Sequence, residues 1–269
     1  MHPLAELQVP AGAVAIHWFE QSTYAVKDEH GTIIQIDPYY PRERPADRFV
    51  YPDPPLDEAT LPTDYVLLTH DHGDHTWPES LERVRQSYPK VKMIGPQESI
   101  AHVLAATGVQ PSYTAPISVG MGLDLRSMTA YAVYAKPPGG DPQANIQPPD
   151  VTHLGYLLKV GQLMLYFSGD PINTFADLDE LIEPVAAFNP NLGFLTTHPS
   201  EGEFPFFAGS AKIARRIGLS HAFPSHRECF VKRNYDPQPW AELITAEGIE
   251  PVLVKRNSYF LYDGVTVSR

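Results

Sequence analysis

The order of strand-like and helix-like segments is the feature that most constrains the fold of this chain. Three short apolar runs near the start, AVAIHW, STYAVKD and TIIQID, are separated by turns, as expected of paired β-strands. Further on, strands alternate with amphipathic segments, for example DYVLLT followed by SLERVRQSY, and the second half repeats this organisation. Since sheets and helices must bury their apolar faces against another layer, this order predicts two β-sheets flanked by helices.

The other helices and strands are predicted from the periodicity of apolar residues and from capping and turn residues. The spacing of Thr76 and Glu79 predicts a capping box at the start of the SLERVRQSY helix, and Gly108 predicts the end of the next helix. Further predicted helices are QESIAHVLAAT, FADLDELI, SAKIARRIG and PWAELITAEG, and further predicted strands are VKMIG, GYLLKV, LMLYFSGD, LGFLTT, HAFPSH, PVLV and SYFLYDG. LDLRSMTAYAVYA is predicted to be β-rich.

Length and cysteine content set the broad class of protein. A chain of 269 residues can bury a core as one large domain or two small ones, and no repeat or linker marks a boundary. The single cysteine, Cys229, excludes an internal disulfide and fits a reducing compartment. Neither a bilayer-length apolar run nor a signal-peptide pattern is present, so we expect a cytoplasmic protein that does not enter a membrane.

The charge of the chain limits its partners. A formal net charge of −12 argues against a broad nucleic-acid surface, which needs clustered lysine and arginine. A small anionic substrate held in a local basic pocket stays compatible with that charge. The sequence therefore predicts a small-molecule substrate and no nucleic-acid partner, and it leaves the oligomeric state open, with a homo-oligomer compatible.

The stretch THDHGDH, directly after the apolar run YVLL, places three histidines and two aspartates within six residues. Imidazole and carboxylate groups suit zinc, iron or manganese. In an extended segment His70 and His72 point the same way, and Gly73 allows a sharp turn after which Asp74 and His75 address a neighbouring position. The stretch therefore predicts two halves of a metal centre, with a histidine-rich polar turn as the alternative.

Four ligands do not complete two metal sites, so the others must come from elsewhere. The ends of strands are the simplest source, because loops converge there. Asp170 ends LMLYFSGD and can bridge two cations, although a turn aspartate is the alternative. His226 ends HAFPSH and can complete the second site, although a structural histidine is equally compatible with the local sequence.

These residues together resemble the metallo-β-lactamase superfamily. The resemblance rests on H-x-H-x-D-H after an apolar strand, Ser-Gly-Asp after a later strand and a histidine after AFPS, and it covers almost the whole chain. The segment TDYVLLTHDHGDHTWPESLERV, with the later NYDP, is most similar to the ascorbate-phosphate lactonase branch. The resemblance implies an α+β fold, a four-layer αββα sandwich of two mixed β-sheets flanked by helices, in a single domain spanning residues 1–269.

The resemblance also implies a dinuclear metal centre and its ligands. Two divalent ions are expected, with zinc favoured and manganese or iron as alternatives. Asp37, in IIQIDPYY, matches an aspartate that supports the ligand loop, a role that fits the need to orient metal-binding imidazoles. The implied ligands are His70, His72 and a third histidine for the first ion, and Asp74, His75 and His226 for the second, with Asp170 between the two.

The chain departs from the family pattern at the third histidine. Where most relatives carry it, this sequence reads Ala-Lys-Pro, and no histidine occurs between His102 and His153. One interpretation is that His153 reaches the first site because the preceding loop folds back. The other is that Lys136 occupies the place and the first metal is weak or absent. We favour His153. Two more departures, Gln21 and Pro171, are not expected to contact the ligands.

The predicted activity is hydrolysis of a small lactone, ester or phosphoester by a metal-bridging hydroxide. Asp74 is the predicted catalytic residue, which orients this hydroxide and helps to transfer its proton. One alternative is a phosphodiesterase acting on RNA or a phospholipid. Another is a degenerate, metal-poor binding protein, which the Ala-Lys-Pro departure favours.

Side chains near the predicted centre are candidates for contacting the substrate. Arg227 follows the candidate ligand His226, and it, Lys232 or Arg233 can hold a phosphate or carboxylate, with a solvated basic surface as the alternative. Other predicted substrate contacts are Tyr39, Lys136 and His198.

Overall fold

A computed structural model describes residues 1–200 and 202–268, and in this part of the chain two mixed β-sheets are flanked by helices. The predicted fold class is thereby confirmed. The six α-helices of the described residues are α1 (Pro3–Glu6), α2 (Pro78–Ser87), α3 (Gln97–Thr107), α4 (Asp179–Ala186), α5 (Phe207–Ile217) and α6 (Gln238–Ala246). None of them reaches the length and apolarity needed to cross a bilayer.

The strands of the described residues are numbered along the chain, and their spatial order in each sheet differs from this numbering. The first sheet has eight strands, in the order β15 (Val267–Ser268), β14 (Ser258–Tyr262), β1 (Val14–Glu20), β2 (Thr23–Asp28), β3 (Ile33–Ile36), β4 (Tyr65–Leu67), β5 (Lys92–Gly95) and β6 (Thr114–Pro116). The second has seven, in the order β13 (Glu250–Pro251), β12 (His221–Ser225), β11 (Leu192–Thr196), β10 (Leu163–Phe167), β9 (Leu154–Val160), β8 (Met128–Tyr134) and β7 (Gly122–Leu125).

Each sheet combines antiparallel and parallel pairs. The strands β14, β1, β2 and β3 pair antiparallel, and β3 to β6 continue the first sheet in parallel. In the second sheet, β7 to β10 are antiparallel and β10 to β13 are parallel. The parallel parts place several strand ends at one edge of the sandwich, where loops can bring polar side chains together.

The two sheets share one core. Side chains from both inner faces form a continuous apolar cluster, in which Phe167 and Phe194 stack with ring centroids 4.4 Å apart. A second cluster joins the outer face of the β8–β12 region to α4, α5 and α6, and a third joins β4 and β5 to α2 and α3. Burial of these apolar faces accounts for the order of layers, helices–sheet–sheet–helices. The single-domain organisation stays a prediction.

Some local predictions were wrong. PVLV was predicted as a strand, but only its first residue belongs to one, β13 (Glu250–Pro251). The predicted capping box does not form, because α2 begins at Pro78 and the Thr76 hydroxyl donates instead to the His70 carbonyl at 2.8 Å. In FADLDELI, a single 3₁₀ turn precedes the α-helix, which begins only at Asp179.

Candidate metal centre

The histidine-rich loop lies between β4 and α2 at the shared edge of the sandwich, and Asp37 holds its start in place. The Asp37 carboxylate accepts hydrogen bonds from the Thr69 amide at 2.8 Å, the Thr69 hydroxyl at 2.6 Å and Nδ1 of His75 at 2.7 Å. Asp37 is fully buried and has a positive φ of 44°, a conformation that costs energy outside glycine and is often found at functional sites. Its contacts leave Nε2 of His75 as the nitrogen free to bind a metal.

The structure brings His70, His72 and His153 together, with one ligand atom of each within 4.8 Å of the others. His153 reaches this place because the chain folds back after residue 137 and β9 begins beside the ligand loop. Its neighbour Leu154 donates from its amide to the Thr69 carbonyl at 2.9 Å, and the His153 ring stacks on His70 with centroids 4.1 Å apart. This placement favours His153 over Lys136, whose ammonium lies 2.8 Å from Glu203.

The second half of the centre consists of Asp74, His75 and His226, whose ligand atoms also lie within 4.8 Å of one another. His226 directly follows β12 and has a positive φ of 64°, which turns its ring towards the loop. Nε2 of His226 is 3.6 Å from Oδ2 of Asp74. Three residues from two separate loops therefore form a second group of three candidate ligands.

Asp170 lies between the two groups. Its Oδ2 atom is 3.7 Å from Nε2 of His70, 3.3 Å from Nε2 of His75 and 3.7 Å from Nε2 of His226. The preceding Gly169 makes this position accessible, because a Cβ there would lie 2.3 Å from the Leu154 carbonyl oxygen and the φ is +57°. All seven side chains predicted as ligands thus converge at one edge.

The unpaired atoms of this cluster fit divalent metal ions. Among the described residues, Nε2 of His70, both ring nitrogens of His153 and Oδ1 of Asp170 are buried without a hydrogen-bond partner. Such atoms are costly unless a partner satisfies them. Imidazole nitrogens and carboxylate oxygens grouped within 4.8 Å are the donor set that zinc, manganese and iron prefer.

The protonation of three of the donors, His70, His153 and Asp170, is suited to binding cations. Burial lowers the pKa of His153 to about 3, and burial likewise holds the pKa of His70 well below its usual range. Both rings are therefore neutral at physiological pH, as ligation requires. Burial by itself raises the pKa of Asp170, but the neighbouring His75 and His226 outweigh it and lower that pKa, so the carboxylate is ionised. For His75, burial opposes the charge, whereas Asp170, Asp37 and Asp74 raise its pKa.

The contacts of two residues near the ligands were not predicted from the sequence. Both carboxylate oxygens of Asp150 lie 3.1 Å from Nε2 of His72, and the spacing of Asp150 three residues before His153 was the available signal. The expectation that Gln21 does not contact the ligands was wrong. Its side-chain Nε2 is 3.2 Å from Oδ2 of Asp74 and 3.1 Å from Nε2 of both His75 and His226.

An open cavity of about 600 Å³ adjoins the second half of the centre. The Asp74 side chain, which is 24% exposed, forms part of its wall and connects the cavity to the ligands. The other lining residues are Asp47, Arg48, Gly73, Trp77, Phe230, Lys232 and Arg233.

Of the side chains predicted to contact substrate, Lys232 and Arg233 line this cavity, and the other four lie elsewhere. Arg227 is a correction: its guanidinium is buried 4.3 Å from the Trp18 ring centroid and donates to the Val254 carbonyl, because the chain turns sharply at His226, where φ is 64°. Tyr39 is another, since it is buried behind the cavity against Trp77 and Phe230.

The remaining two candidates flank the centre. His198 pairs with Phe206 through a parallel β-bridge, and its Nδ1 lies 3.0 Å from the Ser200 hydroxyl. The structure does not bring it into either ligand group. Lys136 faces a separate cavity of about 400 Å³, on which Glu203 also lies. Burial lowers the pKa of His153, and Lys136 lies near enough to the first half for its charge to lower that pKa further.

A sandwich of two mixed sheets with histidine and aspartate ligands on the shared edge defines a class of metal-binding α+β proteins. Residues 15–198 match the model of the beta-lactamase superfamily domain, which is more than half of the chain. The protein therefore belongs to that family.

Individual relatives agree with this assignment. A protein of Archaeoglobus fulgidus named a metal-dependent hydrolase is 22% identical over 212 residues, covering 76% of this chain and 83% of the relative. The structure of a metallo hydrolase from Ignicoccus hospitalis superposes with a TM-score of 0.67 at 18% identity, covering 93% of this chain and 98% of the other. An isothiocyanate hydrolase from Delia radicum gut bacteria gives a TM-score of 0.71 at 17% identity, covering 91% and 98%. At these identities the structural likeness establishes the fold.

Proposed function

We propose that the protein is a metal-dependent hydrolase that cleaves a small ester, lactone or phosphoester. The observation that carries this proposal is the convergence of seven ligand side chains, several with buried unpaired atoms, beside an open cavity. The names of the relatives as hydrolases support it. The alternative of a metal-poor binding protein depended on a missing third histidine, and it loses that support because His153 lies beside His70 and His72.

The residues of the centre suit this chemistry. Two divalent ions, when bound, lower the pKa of water and stabilise negative charge on the attacked group. Asp74 lies where the ligands meet the cavity, and it can orient the attacking water by accepting a hydrogen bond from it. The neighbouring His75 and His226 overcome the effect of burial and lower the pKa of Asp74, which keeps it an acceptor. We propose zinc first, because five imidazoles dominate the ligand set.

The cavity favours a substrate with a negatively charged group. Its wall carries three cationic side chains, Arg48, Lys232 and Arg233, against one carboxylate, Asp47, apart from Asp74. This local excess contrasts with the net charge of −12 of the whole chain.

Backbone pairing places these cations on one rim. The Val231 amide donates to the Arg48 carbonyl at 2.9 Å, and Phe49 and Phe230 form an antiparallel bridge, so Arg48 lies beside the segment that carries Lys232. Carboxylate and phosphate groups are the natural partners of such side chains. The rings of Trp77 and Phe230 offer an apolar surface to the rest of the substrate.

We further propose the substrate class and the location of the protein. The sequence likeness to ascorbate-phosphate lactonases supports a phosphorylated lactone as one candidate substrate. A cavity of about 600 Å³ suits a small molecule rather than a nucleic acid. We also propose a cytoplasmic location, supported by the single, buried cysteine.

A matched pair of esters tests the activity and its charge preference. The zinc-loaded protein is assayed with neutral 4-nitrophenyl butyrate and with anionic mono-4-nitrophenyl succinate, before and after treatment with a chelator. We expect hydrolysis that the chelator abolishes, with a higher kcat/KM for the anionic ester. Zinc-loaded protein that hydrolyses neither ester, nor a phosphoester or lactone of similar size, contradicts the proposed function.

Substitutions on the cavity rim test the site of charge recognition. In the double variant Lys232→Gln/Arg233→Gln we expect kcat/KM for the anionic ester to fall about tenfold, the effect of losing a charged hydrogen bond, while the neutral ester is unaffected. Lys90→Gln/Lys92→Gln is the control, because it removes the same charge at a separate cavity. Equal effects of the two double variants would show that the rim does not bind the substrate.

A further inference from the structure

The side-chain amide of Gln21 faces the second half of the metal centre. Its Nε2 atom lies within 3.2 Å of one atom each of Asp74, His75 and His226, and these residues are one of the candidate metal-binding groups. A primary amide carries two N–H donors. The amide can therefore donate to two of these three ligand atoms at a time, and a second metal ion would compete with it for their lone pairs.

The orientation of this amide is fixed by its neighbours. The Ser22 backbone N–H, which can only donate, bonds to Oε1 of Gln21, whereas the Asp74 carboxylate can only accept. Turning the amide over would set two donors against each other at Ser22 and two acceptors at Asp74. Gln21 consequently presents N–H groups, not its carbonyl oxygen, to the second site.

The backbone of Gln21 is also held firmly. The residue is fully buried, has a positive φ of 52°, and forms a bridge with Arg227. Its amide donates to the Arg227 carbonyl at 2.9 Å, and its own carbonyl accepts from the His226 amide at 3.1 Å and from Nε1 of Trp18 at 3.0 Å. Because these bonds fix the Cα position, the side chain cannot leave the second site by a simple shift of the loop.

The first half of the centre has no equivalent amide donor among the residues that the structure describes. There, Nε2 of His70 and both ring nitrogens of His153 are buried and unpaired. An ion that binds at this half satisfies these atoms without displacing a hydrogen-bond donor, whereas an ion at the second site must displace the Gln21 amide.

We propose that Gln21 weakens the second metal site, so that the centre takes up its two ions unequally: the first tightly at His70, His72 and His153, the second only at higher metal concentration. The inference rests on the proposed metal-dependent function. Gln21 acts here as a residue that sets metal affinity, through its competition for the ligand atoms. Since a group that orients or engages metal ligands typically changes affinity about 10- to 100-fold, we expect a difference of that order between the two steps.

Calorimetric titration of metal-free, full-length protein with Zn²⁺, in the presence of a competing chelator, measures both steps. The wild type is expected to bind one equivalent at least about tenfold more tightly than the second. In Gln21→Glu, a carboxylate oxygen replaces the N–H group while the acceptor for Ser22 is kept. The second step should tighten by about tenfold or more and the first should not change.

Two further variants make the result specific. Gln21→Ala removes the competing donor without adding a ligand, and a smaller gain in the second step is expected. Gln35→Glu changes another fully buried glutamine, which bonds to Thr63 and Tyr40 away from the ligands, and should leave both steps unchanged. Equal affinities in the wild type, or a weaker second step in Gln21→Ala, would overturn the inference.

The outcome is distinguishable from a failure of the proposed function. Unequal zinc binding that responds to Gln21, in a protein without hydrolytic activity, supports the inference and contradicts the hydrolase. Hydrolysis with equal zinc binding does the reverse. Protein that binds no zinc at all contradicts both.

Discussion

The two halves of the metal centre contain similar ligands but differ in what those ligands do without an ion. In the first half, the imidazoles of His70 and His153 are buried with unpaired nitrogens. In the second half, Asp74, His75 and His226 all lie within hydrogen-bonding distance of the Gln21 amide. Ligand identity alone would predict similar affinities. We expect their affinities to differ, because metal affinity also depends on the bonds that the ion must replace.

The halves differ in their relation to the cavity as well. Each has one partly exposed ligand, His72 at 31% and Asp74 at 24%, but of these two only Asp74 lines the cationic cavity. The ion that we expect to bind more weakly is therefore the one nearer the substrate. Activity should follow occupancy of the second step rather than the first, which links the asymmetry of the centre to its proposed function.

Removal of His153 is expected to cause the largest change in the difference between the two zinc affinities. His153→Ala deletes one of the three imidazoles of the first half, and a site with two remaining imidazoles should lose the tight step, about 100-fold or more in zinc affinity. The second step should be far less affected. Zinc titration with a competing chelator measures both.

Lys136→Ala is the matched control for this variant. Its ammonium pairs with Glu203 near the first half but has no atom in the ligand group. We expect nearly unchanged zinc binding. If the lysine variant loses the tight step and the histidine variant keeps it, the assignment of His153 is wrong.

Asp37→Asn should affect both halves together, by about 10- to 100-fold in zinc affinity. The carboxylate accepts from Nδ1 of His75 and from the hydroxyl of Thr69, which lies 3.0 Å from Nδ1 of His70. Both bonds fall on Oδ2, whereas Oδ1 accepts from the Thr69 backbone amide. Asparagine has only one acceptor oxygen, so its NH2 group must face either the Thr69 N–H or the two side-chain donors. Asp28→Asn, which changes a buried aspartate of the β2–β3 hairpin, is the control. An effect of Asp37→Asn on one step only would show that the halves are supported separately.

Much of the fold and of the ligand set could be predicted because it depends on local pattern. Short apolar runs indicated the strands, and the parallel strands β10 to β12 place Asp170 and His226 at one edge of the second sheet. THDHGDH follows β4 of the first sheet, and the resemblance to the family placed it with these two residues. Asp37 followed from the resemblance and from its position at the end of β3.

The other features depend on loop paths and on side-chain direction, which local pattern does not determine. His153 reaches the first half only because the loop after residue 137 returns and Leu154 bonds to Thr69. Gln21 enters the second half through a positive φ that no propensity indicates for glutamine. Arg227 follows a ligand but points into the interior, because the chain turns sharply at His226.

The smallest effect is expected for Asp150→Asn. Asp150 is 71% exposed, and ion pairs of exposed groups contribute little, so the first step should weaken by only about two- to fivefold. The sign of the change is informative, because Asp150 lies against Nε2 of His72 much as Gln21 lies against the second half. A carboxylate attracts a bound cation, whereas an N–H donor competes with it, so removing the charge should lower zinc affinity. Tighter zinc binding in Asp150→Asn would instead show that Asp150 competes with the ion. Both halves would then contain a side chain that competes for the metal ligands, and only the strength of the competition would differ.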